Sequence, residues 1–281
     1  MHSAGALESW IAPKTVVCAW ITALALAIGI GGISTPALAA ETAVEKSPVG
    51  TTISVRRRVT GILAEDKRRL RKGTRVHRNE VLLTEKKGRA ELKLDDDTKL
   101  AVGPGARIRL DEFVLGENKK NTSVVVSLLA GTFRFITGLT NSESYRIETP
   151  VATIGVRGTV FDVYVSPQGE TLVLLHEGEV EICTRTFSCR RHTRRGWIMH
   201  TSVAGVLSAP IKFTAGLIPG LTAARAFPFV GRRLVIDPVR RLRRADIIQR
   251  SVTQPVKRTG RTIRRGTRKI RRQIRKLNPL R

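Results

Sequence analysis

Ala90-Glu91-Leu92-Lys93-Leu94, then Asp95-Asp96-Asp97-Thr98, then Leu100-Ala101-Val102 running into Gly103-Pro104-Gly105, is the stretch that decides the fold. Apolar and charged residues alternate strictly in the first part, and a period of two puts the apolar side chains on one face of a strand. The acidic run suits a turn, so the whole reads as a hairpin with one buried face. Working outward, Arg107-Ile108-Arg109-Leu110 alternates again. Residues 124–129 and 132–136 form a more fully apolar pair around Ala130-Gly131, as strands covered on both faces do. The pattern continues through residues 145–165. Ser166-Pro167-Gln168-Gly169 and Glu177-Gly178 then mark turns, and the last strand-like stretch is 196–201. Turn signals recur about every ten residues and no helix-period segment interrupts them, which predicts one all-β domain over residues 51–201.

Composition agrees. Only 5% of residues are aromatic, so the core must rest on Val, Leu and Ile, which suit strands better than a base-stacking platform. The formal charge of +27 is unevenly placed: from Arg225 to Arg281, 20 Lys and Arg face only Asp237 and Asp246, so +18 of it lies in the last fifth of the chain.

At the other end, Lys14 precedes an uncharged run over residues 15–34. Pro36-Ala37-Leu38-Ala39-Ala40 follows, with the small-x-small pattern of a cleaved signal. Residues 1–39 read as a signal peptide, with an uncleaved anchor as the alternative because the run approaches spanning length. Gly29, Gly31, Gly32 and Pro36 interrupt it and favour cleavage. Both readings place the remainder outside the cytoplasm, with a periplasmic location expected. Residues 40–50 form a short linker, and 202–238 an apolar linker or packing segment, broken by Gly and Pro.

Residues 239–281 form a basic tail, partly helical or disordered. In it Ile263, Ile270, Ile274 and Leu277 share one side of a possible helix among Arg264, Arg265, Arg268, Lys269, Arg271, Arg272, Arg275 and Lys276. Such a tail could hold DNA or RNA by counterion release. Export turns the expectation to phospholipid, lipopolysaccharide or wall polymer instead, where each basic residue contributes roughly 1 kcal/mol. An unidentified envelope protein is the other expected partner, and a solvated tail with no partner the plainer alternative.

Once the signal has taken Cys18, Cys183 and Cys189 remain, an even pair able to staple a hairpin in an oxidising compartment. A zinc site with His192 or His200, or two free thiols, are the competing readings; the Cys and His spacing fits no compact zinc motif.

Chemistry-bearing groups are scattered. His77, His176, His192 and His200 sit far apart, Asp95-Asp96-Asp97 lacks the glycine and further ligands of a calcium loop, and nothing marks a cleft at Glu177 and Glu179. No catalytic residue, metal or cofactor is expected.

The stretch Thr149-Pro150-Val151-Ala152-Thr153-Ile154-Gly155-Val156-Arg157-Gly158-Thr159-Val160-Phe161-Asp162-Val163 resembles the signature of the FecR family. The runs Leu128-Leu129-Ala130-Gly131-Thr132-Phe133-Arg134-Phe135 and Glu177-Gly178-Glu179-Val180 support it, and the resemblance covers residues 53–201. It implies an extracytoplasmic β-solenoid or sandwich-like domain used in envelope sensing or scaffolding. Val160 departs from the family, standing where an acid is common. So does the N-terminus: about 14 residues precede the apolar run, too few to fold as the sigma-binding domain of the best-known members. Read physically, Gly155 and Gly158 permit backbone angles or close approaches, Pro150 starts a strand, and Arg157 is expected to brace Asp162 or turn carbonyls.

Overall fold

Three long strands carry the architecture: β9 (Ser123–Ile136), β11 (Ala152–Val165) and β12 (Thr171–Thr184). Each has a glycine at positive φ within it, Gly131 (+95°), Gly158 (+59°) and Gly178 (+78°), an angle that L side chains rarely adopt. On either side of these glycines the strands keep different neighbours. The first half of β9 pairs with β8 (Arg107–Val114) and, in parallel, with β10 (Tyr145–Glu148); its second half pairs with β7 (Lys99–Val102) and β11. Strand β12 meets β14 (Ile198–Thr201) before its glycine and β13 (Cys189–His192) after it. The ladder between β11 and β12 shifts register next to Gly158.

The pairings therefore trace two layers that share three bent strands. One runs β13-β12-β11-β10-β9-β8-β5-β2-β3, ending in β5 (Val81–Thr84), β2 (Val59–Leu63) and β3 (Asp66–Arg69). The other runs β14-β12-β11-β9-β7-β6-β1-β4, ending in β6 (Arg89–Leu94), β1 (Pro48–Arg56) and β4 (Arg75–His77). The all-β class is the one expected from the sequence, and of the two forms the resemblance implies, β-solenoid or sandwich-like, the pairing fits the second. The computed structural model describes residues 47–114, 123–138 and 145–249, all within one compact unit.

Between the layers lies the main core. Ile108, Val126, Ile147, Ile154 and Val156 of the first layer belong to one buried cluster with Leu92, Leu100, Phe133, Phe135 and Phe161 of the second. The Phe135 and Tyr145 rings meet across it at 5.7 Å. Burying each such side chain stabilises by roughly 1.5–3 kcal/mol. The hairpin read first is β6 and β7, and each acid of its turn has a task. Asp95 pairs with Arg75 at 2.6 Å and Asp97 with Lys93 at 2.6 Å. Asp96 is fully buried and accepts bonds from the Thr98 N–H and hydroxyl and from the Tyr145 hydroxyl.

The second layer is also apolar on its outer face, and a sheet covered on both faces needs a cover. Leu172, Leu174 and Ile198 pack there against Phe213, Ile218, Leu221, Phe227, Val230, Leu242 and Ile247, and Ala101 against Phe229 and Ile236. The covering residues form a strap that includes α1 (Ala223–Ala226) and α2 (Arg244–Ile247) and is tied down by isolated bridges such as Ile198 to Ile211. Thus the Gly- and Pro-interrupted segment packs on the sheet, and the packing continues through residues 239–249. Among the described residues no helix is long and apolar enough to cross a membrane.

Candidate functional site

Where strap and sheet meet lies a buried ionic cluster. Strand register sets Arg134 of β9 directly beside Asp162 of β11. Arg134 Nε donates to Asp162 Oδ1 at 2.6 Å and Nη2 to Oδ2 at 2.9 Å, while Nη1 reaches Asp237 Oδ2 of the strap at 3.3 Å. His176 Nε2 lies 3.0 Å from both Asp162 Oδ2 and Arg134 Nη2. Arg241 Nε bonds both Asp237 oxygens at 3.3 Å, and its Nη1 bonds Glu177. The Phe229 ring covers the Arg134 guanidinium at 5.9 Å. Two further bonds fasten the strap nearby, from the Ile236 N–H to Glu91 at 2.9 Å and from the Thr132 hydroxyl to the Ala226 carbonyl at 2.9 Å.

Burial alone would raise the Asp162 carboxyl, but the Arg134 guanidinium and His176 outweigh it and hold it at about 2. A carboxyl depressed in the fold stabilises above its unfolded value of 3.8 and loses that contribution as pH falls towards 2. Between about pH 4 and pH 2 the protein should therefore lose on the order of 2 kcal/mol through this group. Urea unfolding across that range checks it, and an Asp162→Asn variant that retains the same acid sensitivity would contradict it.

Two members of the cluster, Arg134 and Asp237, had no role in the sequence reading, and Arg241 was not singled out. Arg134 is a lone charge between Phe133 and Phe135, and Asp237 follows the apolar Leu234-Val235-Ile236. A charge inside an apolar run needs a buried partner, and that was the available signal.

The expected brace from Arg157 to Asp162 is corrected. Arg157 lies before the bend, exposed on the outer face of the first layer opposite Glu179, whereas Asp162 lies after it, buried under the strap. The other signature residues shape the chain. The Thr149 hydroxyl donates to the Ala152 carbonyl and accepts from the Ala152 N–H, Pro150 packs on Gly169, and Gly158 makes the bend. The Thr159 N–H donates to the Thr137 hydroxyl at 2.7 Å, and the Phe161 ring stacks 5.5 Å from Phe135. Gly155 is in open strand, where an added Cβ would find nothing nearer than the Glu181 carbonyl at 3.9 Å.

Around Gly155 the outer face of the first layer holds a recess of about 220 Å³ lined by Arg157, Glu179, Glu181 and Arg191. Glu179 and Arg191 are 3.9 Å apart, and Arg146 and Glu148 on the neighbouring strand 3.8 Å. Such exposed pairs contribute at most about 1 kcal/mol each, leaving their polar groups available to a partner.

Cys183 and Cys189 face each other across β12 and β13 and are bonded, with an S–S distance of 2.05 Å. Closing so short a loop constrains the unfolded chain only modestly, so replacing both with serine should cost about 2 kcal/mol. Guanidinium unfolding of the two forms measures this, and unchanged midpoints would argue that the bond is neutral.

The histidines stay apart. His77 joins Arg68 and the buried Glu80, His192 lies 3.0 Å from the Trp197 carbonyl oxygen, and His200 is 3.3 Å from Glu170. The basic residues from Arg264 to Lys276 lie outside the described residues, as does the expected signal peptide.

A search of curated proteins returns no match. Two crystal structures of a candidate anti-sigma factor from Parabacteroides distasonis, at 2.50 and 1.65 Å, are similar at 17% identity and a TM-score of 0.38. Each likeness covers 46% of this chain and 57% of that one, so the chain spans a little over half of its length. Residues 80–181 match the family model described as FecR protein.

Proposed function

We propose that this chain is an exported, non-catalytic module of the cell envelope that binds or scaffolds a signalling partner through its FecR domain, while its basic tail holds it to an anionic surface. The observation that carries the reading is the division of labour between the two outer faces. One is sealed by the strap. The other presents exposed Arg146, Arg157 and Arg191 with Glu179 and Glu181 around a shallow recess, a mixed-charge surface suited to an extended polar or protein partner.

Fractionation at low and high salt tests the attachment. Screening falls to about 3 Å at 1 M salt, so a protein held by its tail should leave the membrane fraction there. Retention at high salt, with an N-terminus that still includes the apolar run at residues 15–34, would favour a membrane-anchored sensor instead.

A further inference from the structure

Several arginines of the sheet and its strap have an acid beside them: Arg68 with Glu80, Arg75 with Asp95, Arg134 with Asp162, Arg241 with Asp237. Another group sets arginine against arginine. Arg56 at the end of β1 stands directly opposite Arg89 at the start of β6, a cross-strand position where like charges repel. The strap then brings Arg232 within electrostatic reach of Arg89, four residues before Ile236, whose N–H bonds Glu91 on the same face of β6 at 2.9 Å. Arg89 is half-buried, and its Nε is shut away from solvent with no bonding partner. An orphaned buried donor is costly, more so when charged.

No acid among the described residues relieves this crowding. Glu91, the next acid on that face, is buried and taken by the Ile236 N–H, and Glu85 pairs with Arg58. Burial, then repulsion from Arg232 and Arg56, lowers the affinity of Arg89 for its own proton. The guanidinium fork matches phosphate oxygens two at a time, and three forks on two strands and a covering segment supply donors from several sides.

We propose that Arg56, Arg89 and Arg232 form a binding site for a phosphate group, carried by a lipid headgroup or by a soluble phosphate compound. The site is independent of the tail and of the recess around Gly155. It is completed only when the strap is in place, so occupancy ties the strap to β1 and β6.

The test uses the full chain and three variants, Arg89→Gln, Arg232→Gln and, as a control on the far edge of the first layer, Arg190→Gln. Melting is followed in phosphate-free buffer and with added inorganic phosphate, and binding is followed on phosphatidic acid against phosphatidylcholine vesicles. Expected is a phosphate-dependent rise in Tm for the parent and Arg190→Gln, and about tenfold weaker phosphate or phosphatidic acid binding for Arg89→Gln and Arg232→Gln, the loss of one charge-assisted bond. Without phosphate, Arg89→Gln should melt no lower than the parent because it removes repulsion. A response to inorganic phosphate points to a soluble source, and one to phosphatidic acid alone to a headgroup; both support the site. The same response in all four proteins, or an equal loss in Arg190→Gln, overturns it. So does Arg89→Gln melting well below the parent in phosphate-free buffer, since that makes the arginine a structural brace.

Discussion

Replacing Arg134 with methionine should lower the unfolding free energy by about 3–5 kcal/mol, the usual result of stranding a buried charge. Asp162 and Asp237 are both buried, and Arg134 is the group that bonds both. Denaturant midpoints measure the loss. Removing the stranded charges as well, in Arg134→Met with Asp162→Leu and Asp237→Leu, should recover part of it, because a buried ionic cluster contributes less than its breakage costs. An Arg134→Met protein that unfolds with the parent would mean that the cluster does not fasten the strap.

Gly178→Val should be about as damaging, on the order of 3 kcal/mol, because two penalties coincide there. Its φ is +78°, and a Cβ would collide with the Gly158 carbonyl oxygen and sit 2.7 Å from Thr159 Cγ2, atoms of the neighbouring bent strand. Gly158→Val carries only the conformational penalty, since nothing lies within 4 Å of the position, and Arg157→Lys should be near neutral. Gly155→Ala should melt with the parent. If Gly155→Ala and Gly178→Val lose equal stability, the bend is not where the fold is constrained.

These contrasts show which parts of the structure the sequence could reveal. Strict alternation in Ala90-Glu91-Leu92-Lys93-Leu94 and the punctuation by Gly, Asp and Pro gave strands and turns directly, because the period of two and turn chemistry are local properties. Layer assignment was harder. Gly131, Gly158 and Gly178 look alike in one dimension, and only the pairing on either side of them reveals that each strand serves both sheets. The strap was harder still: residues 202–249 have neither helix nor strand period, and their apolar groups meet Leu172 and Leu174 through contacts that no local pattern encodes. The same distance hid the cluster. Arg134 and Asp237 are 103 positions apart, so the partner of a visibly misplaced charge could be demanded but not named.

The strap also determines where the tail can be cut. A truncation at Val239 would remove Leu242 and Ile247 from the packed cover, whereas one after Gln249 leaves the described fold whole and still removes 13 Lys and Arg. Sedimentation with anionic vesicles and isolated envelopes, comparing the full chain with one ending at Gln249, therefore tests the account most directly. The account predicts equal melting of the two proteins, binding of the full chain at low salt, its release at high salt, and much weaker binding of the shortened chain, which keeps only the Arg56, Arg89 and Arg232 site. Equal partitioning of both proteins at low salt would contradict it.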